Sequence, residues 1–200
     1  MIAPGLAGRV GAMLVRPGRT WDIVAGEPAD ARELMARYVA PLAAIPAICG
    51  ALGSLVFGFR LAEVGLRQSP LAVLAKSMAG YGLTLVCVWL LARFVALLAP
   101  RFGGTGDSGQ AMKLAAYSGT AAWVGGVFEL YPPLSLSVSL LAGLWSLYAL
   151  YLGLPKLTRS NPERTLLFYA LVLAGVLSLA GLRVYLMGKA ADLGGPLALA

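Results

Sequence analysis

Along most of this chain, long runs without charge alternate with short polar breaks. Tyr38 to Phe59 holds no charged residue, long enough as a helix to cross about 30 Å of hydrocarbon. Pro41 and Pro46 are expected to kink its first half, and Gly50, Gly53 and Ser54 offer a surface for close helix packing. Leu71 to Ala99 is a second run, with Lys76 and Arg93 near its ends, where long cations snorkel to the headgroups. A third segment, KLAAYSGTAAWVGGVFELYPP, opens on Lys113 and reaches its acid at Glu129. At 1.5 Å per residue that interval covers roughly 24 Å. Leu134 to Leu154 is uncharged and dotted with serines, and Gly153 and Pro155 are expected to stop its helix. Thr165 to Met187 is the last run, with Arg183 near its end.

The pattern predicts an all-α, polytopic integral membrane protein. Its core is a five-transmembrane-helix bundle over residues 38–187, with spans at about 38–59, 71–99, 113–130, 134–154 and 165–187. Residues 1–37 form a short N-terminal amphipathic segment, partly helical and interfacial, and residues 188–200 form a loose tail. Within the N-terminal segment, Leu6 to Val15 suits an in-plane surface helix or a frayed end. Thr20 is a candidate N-cap, and Trp21 is a ring suited to headgroup depth.

Composition strengthens this class. The chain has 200 residues, 59% hydrophobic and only 12% charged, where soluble chains carry about 25% charged residues. Its mean hydropathy is +0.79. The net charge of +7 comes from 16 basic residues against 9 acids. No two basic residues adjoin and no aromatic interleaving marks a basic patch, which argues against nucleic-acid binding. The basic excess instead orients the chain. With five spans, eleven Lys and Arg fall on the N-terminal side and five on the other. The N-terminus is therefore expected in the cytoplasm and the C-terminus outside.

Candidate chemistry is sparse. Histidine is absent, and Cys49 and Cys87 each lie inside an apolar run, where a thiol behaves as a small hydrophobe. Gly103-Gly104-x-Gly106 lacks the Lys-Ser/Thr of a phosphate loop. No catalytic residue, cofactor site or metal site is expected. In the third segment, steps of 100° align Ser118, Ala122 and Gly126 in a ridge of small side chains, with Glu129 in line. Such ridges let helix backbones approach closely in lipid. Glu129 is an ionisable group within a span, hence a candidate functional residue or an interfacial anchor. Arg183 reaches the same outer boundary and is its expected partner, with Arg60 or a water-filled pocket as competitors. Lys113 is expected to snorkel.

Three stretches carry a family resemblance. The first is Arg16-Pro17, then Thr20-Trp21, then Tyr38-Val-Ala-Pro-Leu42. The second is Lys113 to Trp123, KLAAYSGTAAW. The third is Leu144 to Pro155, LWSLYALYLGLP, with Pro162 and Tyr169 beyond. Together they resemble the Yip domain family, in its prokaryotic branch. The family pattern commonly has a proline where Ala121 stands, so the third helix is expected to be straighter here. The resemblance implies a five-span membrane protein without catalysis, embedded in the lipid bilayer and associating with itself or another membrane protein. Eukaryotic members are linked to Rab GTPases through a cytosolic region, which here is only the segment before Tyr38, so a GTPase partner is not supported. The expected role is a non-enzymatic membrane organiser or trafficking-type scaffold, with a small transporter or channel as the competing class. The Arg-heavy, Ala/Leu-rich composition points to a bacterial inner membrane.

Overall fold

Three of the described polar breaks carry helix-starting side chains. Asp30 accepts from the amides of Arg32 and Glu33, and Asp107 accepts from those of Gly109 and Gln110, so each caps the helix that follows. Asn161 caps the turn before the last helix in the same way. A computed structural model describes residues 5–57 and 70–193. Every regular element among the described residues is helical. They run α1 (Leu6–Val15), α2 (Pro17–Gly26), α3 (Ala31–Leu34), α4 (Ala40–Phe57), α5 (Pro70–Leu98), α6 (Ser108–Ser118), α7 (Thr120–Gly125), α8 (Pro132–Thr158) and α9 (Thr165–Leu193).

Four helical stretches are long and apolar enough to cross a membrane: Ala31–Phe57, Pro70–Phe102, Pro132–Thr158 and Pro162–Lys189. The first joins α3 to α4 through a π-helical turn, Met35–Val39. Pro41 supplies the reason: it has no N–H to give to Arg37, so the chain widens by one residue ahead of it. α8 continues past Pro155 to Thr158, and the left-handed Arg159 (φ 54°) ends it. The expected stop at Gly153-Pro155 is thus displaced by one turn. α9 runs to Leu193, beyond the expected boundary at Met187. Residues 58–69, with Arg60 and Arg67, and the last seven residues lie outside the described residues.

The third segment is not one straight helix. α6 ends at Ser118, α7 resumes at Thr120, and a 3-10 turn occupies Gly126–Leu130. Ser118-Gly119-Thr120 causes the break. The Thr120 hydroxyl donates to the Tyr117 carbonyl at 2.6 Å, and glycine is a poor helix former. Trp123 folds back on Gly119, where a Cβ would lie 2.8 Å from its ring.

The N-terminal segment is helical and docked on the bundle, not a frayed end. α1 and α2 fold back on each other and against α7 and α8. Trp21 is completely buried within the protein, and its Nε1 donates to the Ala149 carbonyl at 2.9 Å. Gly153 makes room for the indole: a Cβ there would come within 2.6 Å of it. α2 starts at Pro17, so Thr20 lies inside it, donating to the Ala12 and Arg16 carbonyls. The tightest core lies at this end of the bundle, where Trp21, Val24, Val39, Val95, Leu114, Leu154 and Phe168 are buried together. Phe102 stacks on Phe168 at 4.8 Å and ties α9 to the end of α5.

Candidate functional site

At the opposite end the bundle opens into a cavity of about 240 Å³ between α4, α5, α9 and the 3-10 turn. Among the described residues its charged lining comes from Lys76 on α5, Glu129 on the 3-10 turn and Arg183 on α9. Ser54, Ser77 and Thr84 add hydroxyls, and Tyr81 lines it too. The Thr84 hydroxyl is held by the Gly80 carbonyl at 2.8 Å, and that of Tyr81 by the Ala40 carbonyl at 3.3 Å.

Gly50 admits the Glu129 carboxylate, whereas Arg183 lies at ordinary contact distance from Gly80. A Cβ at Gly50 would stand 2.6 Å from Glu129 Oε2, so the carboxylate occupies the space that a side chain on α4 would take. Arg183 lies across Gly80, where a Cβ would sit 3.7 Å from Nη2. The carboxylate therefore packs on α4 while the guanidinium packs on α5. Among the described residues no ion pair joins Glu129 to Arg183. Both side chains line the one cavity.

The ridge expectation divides. Ser118 and Gly126 are buried, whereas the Ala122 side chain is exposed and its amide N–H donates to Ser146 Oγ on α8 at 3.1 Å. Close approach occurs instead at Gly126, where a Cβ would meet the Pro46 Cβ at 2.5 Å, and at Gly125, where it would meet the Ala142 Cβ at 2.7 Å. Gly53 is tighter still, lying against the Glu129 backbone carbonyl. Pro155 is half-buried within α8.

Lys113 does not snorkel. It is 3% exposed, and its ammonium donates to the Val24 carbonyl at 2.8 Å and to the Glu27 carbonyl, closing the C-terminal end of α2. Around it the third segment gathers a polar and aromatic cluster. The Tyr38 and Thr120 hydroxyls share a hydrogen bond at 2.8 Å, and the Tyr38 and Tyr117 rings meet edge-on at 4.7 Å. Arg9, 6% exposed, pairs with Glu27 at 2.5 Å and lies over Tyr117. Lys156 binds Asp22 at 2.6 Å and the Gly18 carbonyl at 2.8 Å. Sequence reading missed Trp21, Tyr38 and Tyr117 as parts of one cluster. It also treated Lys76 as an end-of-span cation. The available signal for the first was the family-like spacing of Arg16-Pro17, Tyr38 and Lys113-x3-Tyr117.

The profile of the family described as "Yip1 domain" matches residues 11–183. The chain belongs to the Yip1 domain family. This Yip1 domain begins inside α1 and ends at Arg183, so it takes in the docked N-terminal helices together with the membrane helices. Over 174 residues the chain is 29% identical to a protein named "Inner membrane protein YohC" from Escherichia coli strain K12, a match covering 85% of this chain and 89% of that protein. The protein of the same name from Escherichia coli O6:H1 gives the same figures. No solved structure matches. With its apolar helices, the Yip1 domain is an integral membrane protein in contact with lipid.

Proposed function

We propose that this protein is a non-enzymatic organiser of the bacterial inner membrane, acting by association of its rim helices with a second membrane-protein helix. The observation that carries the reading is the bareness of α9. Only 11% of its most apolar window is covered by protein, against 28% for the helices containing α4 and α5. Its uncovered side carries Ala170, Ala174, Ser178 and Gly181. Small side chains at that spacing suit close helix association in lipid. The name of the Escherichia coli relative supports the inner membrane as the location.

In this reading Ser108 to Leu130 is the fifth span despite its break. At α and 3-10 rises it reaches roughly 35 Å, against about 30 Å of hydrocarbon. Five spans put the termini on opposite sides, and the eleven-to-five division of basic residues puts the N-terminus in the cytoplasm. A periplasm-active phosphatase is expected to work when fused after Ala200 and to stay silent when fused before Met1. The reverse pattern would overturn the orientation.

The association itself is tested by cross-linking in native membranes. In a chain with Cys49 and Cys87 changed to serine, Ser178→Cys should give one adduct of fixed mass with a membrane-permeant bis-maleimide. Leu166→Cys, also exposed on α9 but near its start, serves as the comparison. Monomer alone at Ser178→Cys would end the organiser reading.

A further inference from the structure

The hairpin of α1 and α2 has an outer face that the docking of Trp21 leaves open. Pro17, Thr20, Trp21 and Val24 form the buried side of α2. Arg19 and Ile23, one turn apart, share the opposite side, and Val15 and Arg16 lie at the corner where α1 meets α2. Val15 is 72% exposed and Ile23 60%, and both arginines are exposed. The two acids of this segment are committed elsewhere, Glu27 to Arg9 and Asp22 to Lys156. Among the described residues no ion pair reaches Arg16 or Arg19. We propose that this corner binds the headgroup of an anionic phospholipid, with Arg16 and Arg19 on the phosphate and Val15 and Ile23 among the adjoining acyl chains.

Three observations point to lipid. The first is depth. The membrane-crossing helix α8 has 27 residues, roughly 40 Å against about 30 Å of hydrocarbon. Trp21 bonds it at Ala149, roughly 14 Å in from its end at Thr158, so α2 packs beside the part of α8 that crosses lipid. The second is the pairing of chemistries. Val15 adjoins Arg16 in sequence and Ile23 adjoins Arg19 on the helix, which suits a ligand that is charged at one end and apolar at the other. The third is the sign of the charge. With Glu27 and Asp22 neutralised by their own partners, the corner presents two guanidinium groups and no free carboxylate of its own segment. Arginine's planar fork engages phosphate oxygens in pairs, and basic side chains at a bilayer surface draw anionic lipids.

The test uses the full chain with Cys49 and Cys87 changed to serine and a bimane probe on Val15→Cys or Ile23→Cys. The protein is placed in phosphatidylcholine vesicles that contain a minor fraction of brominated phosphatidylglycerol or, at the same mole fraction, brominated phosphatidylcholine. Brominated phosphatidylglycerol is expected to quench both probes about fivefold more efficiently, the effect of one or two basic side chains at a membrane surface. Arg16→Gln combined with Arg19→Gln should abolish that preference, and Arg16→Lys with Arg19→Lys should keep part of it. A probe at Leu136→Cys, exposed near the start of α8, should be quenched equally by both lipids. Probes at Val15→Cys and Ile23→Cys that neither lipid quenches would place the corner outside the bilayer and overturn the proposal. Equal quenching by the two lipids, or a preference that survives the glutamine pair, would overturn the phosphate assignment. An adduct of fixed mass with a bis-maleimide at Ile23→Cys would give the face to a protein neighbour and overturn the lipid. Both arginines are exposed, so the glutamine pair leaves the core in place, and an unchanged melting temperature verifies it. Adduct formation at Ser178→Cys reports on α9 alone, so failure of either result leaves the other standing.

Discussion

Trp21→Ala is expected to cost about 3–5 kcal/mol of stability in detergent, the range for removing a large aromatic side chain from a packed core. The indole has no exposed surface, packs on Gly153 and Leu114, and donates to a backbone carbonyl of α8. Its loss leaves a cavity at the joint between α2, α6 and α8. The neighbouring bonds from Lys113 to the end of α2 and from Lys156 to Gly18 and Asp22 depend on that docking, so α1 and α2 should come away from the bundle together. Trp21→Phe keeps most of the packing and loses one hydrogen bond, worth about 1 kcal/mol. Thermal unfolding gives the order, and trypsin cleavage after Arg19 reports the undocking. A tryptophan lying at headgroup depth would instead leave detergent stability unchanged when removed, and that outcome would reject the docked segment.

Gly53→Ala should be nearly as damaging. The added Cβ would collide with the Glu129 carbonyl oxygen and lie 3.1 Å from the Leu130 carbonyl oxygen. Both obstacles are backbone, so relief requires α4 to move away from the 3-10 turn. Overpacking of this kind costs about 1–3 kcal/mol, and here no flexible side chain can yield. Gly126→Ala meets Pro46 in the same interface and should fall in the same range. Ala122→Leu, on the exposed side of α7, should stay within about 0.5 kcal/mol of the parent. Ala115→Leu should destabilise, since Ala115 is 3% exposed. Melting temperatures of the four variants in one detergent decide the matter. If Ala122→Leu were the most damaging, the small-residue ridge would be the true interface.

This ordering differs from what a helical wheel predicts, and the reason is geometric. The wheel carries a 100° step from Ser118 to Glu129, which holds only while the backbone stays α-helical. Gly119 interrupts that step, and the 3-10 turn from Gly126 to Leu130 advances about 120° per residue. The Ala122 side chain is exposed although its amide N–H donates to Ser146 Oγ on α8 at 3.1 Å, while Gly126 is buried against Pro46. Ser118-Gly119-Thr120 was readable as a weak point, because serine and threonine compete for helical carbonyls and glycine lowers helix propensity. An uncharged run reads equally well with or without such a break.

What the amino-acid order determined by itself was the class and the layout along the membrane normal. Uncharged length is a one-dimensional quantity that the bilayer measures directly, so four of the five expected spans are long apolar helices near their expected positions. The caps at Asp30 and Asp107 and the Glu33–Arg37 pair are equally local, and the residues concerned are at most four apart. Lateral arrangement belonged to the tertiary structure. Glu129 and Arg183 line one cavity, and the carboxylate faces α4 in the space that Gly50 leaves open. Trp21 and Lys113 resemble interfacial residues by position, and became core residues only because α2 folds back across α6 and α8. Depth follows from how long a segment stays apolar, whereas contact follows from where distant backbones leave room.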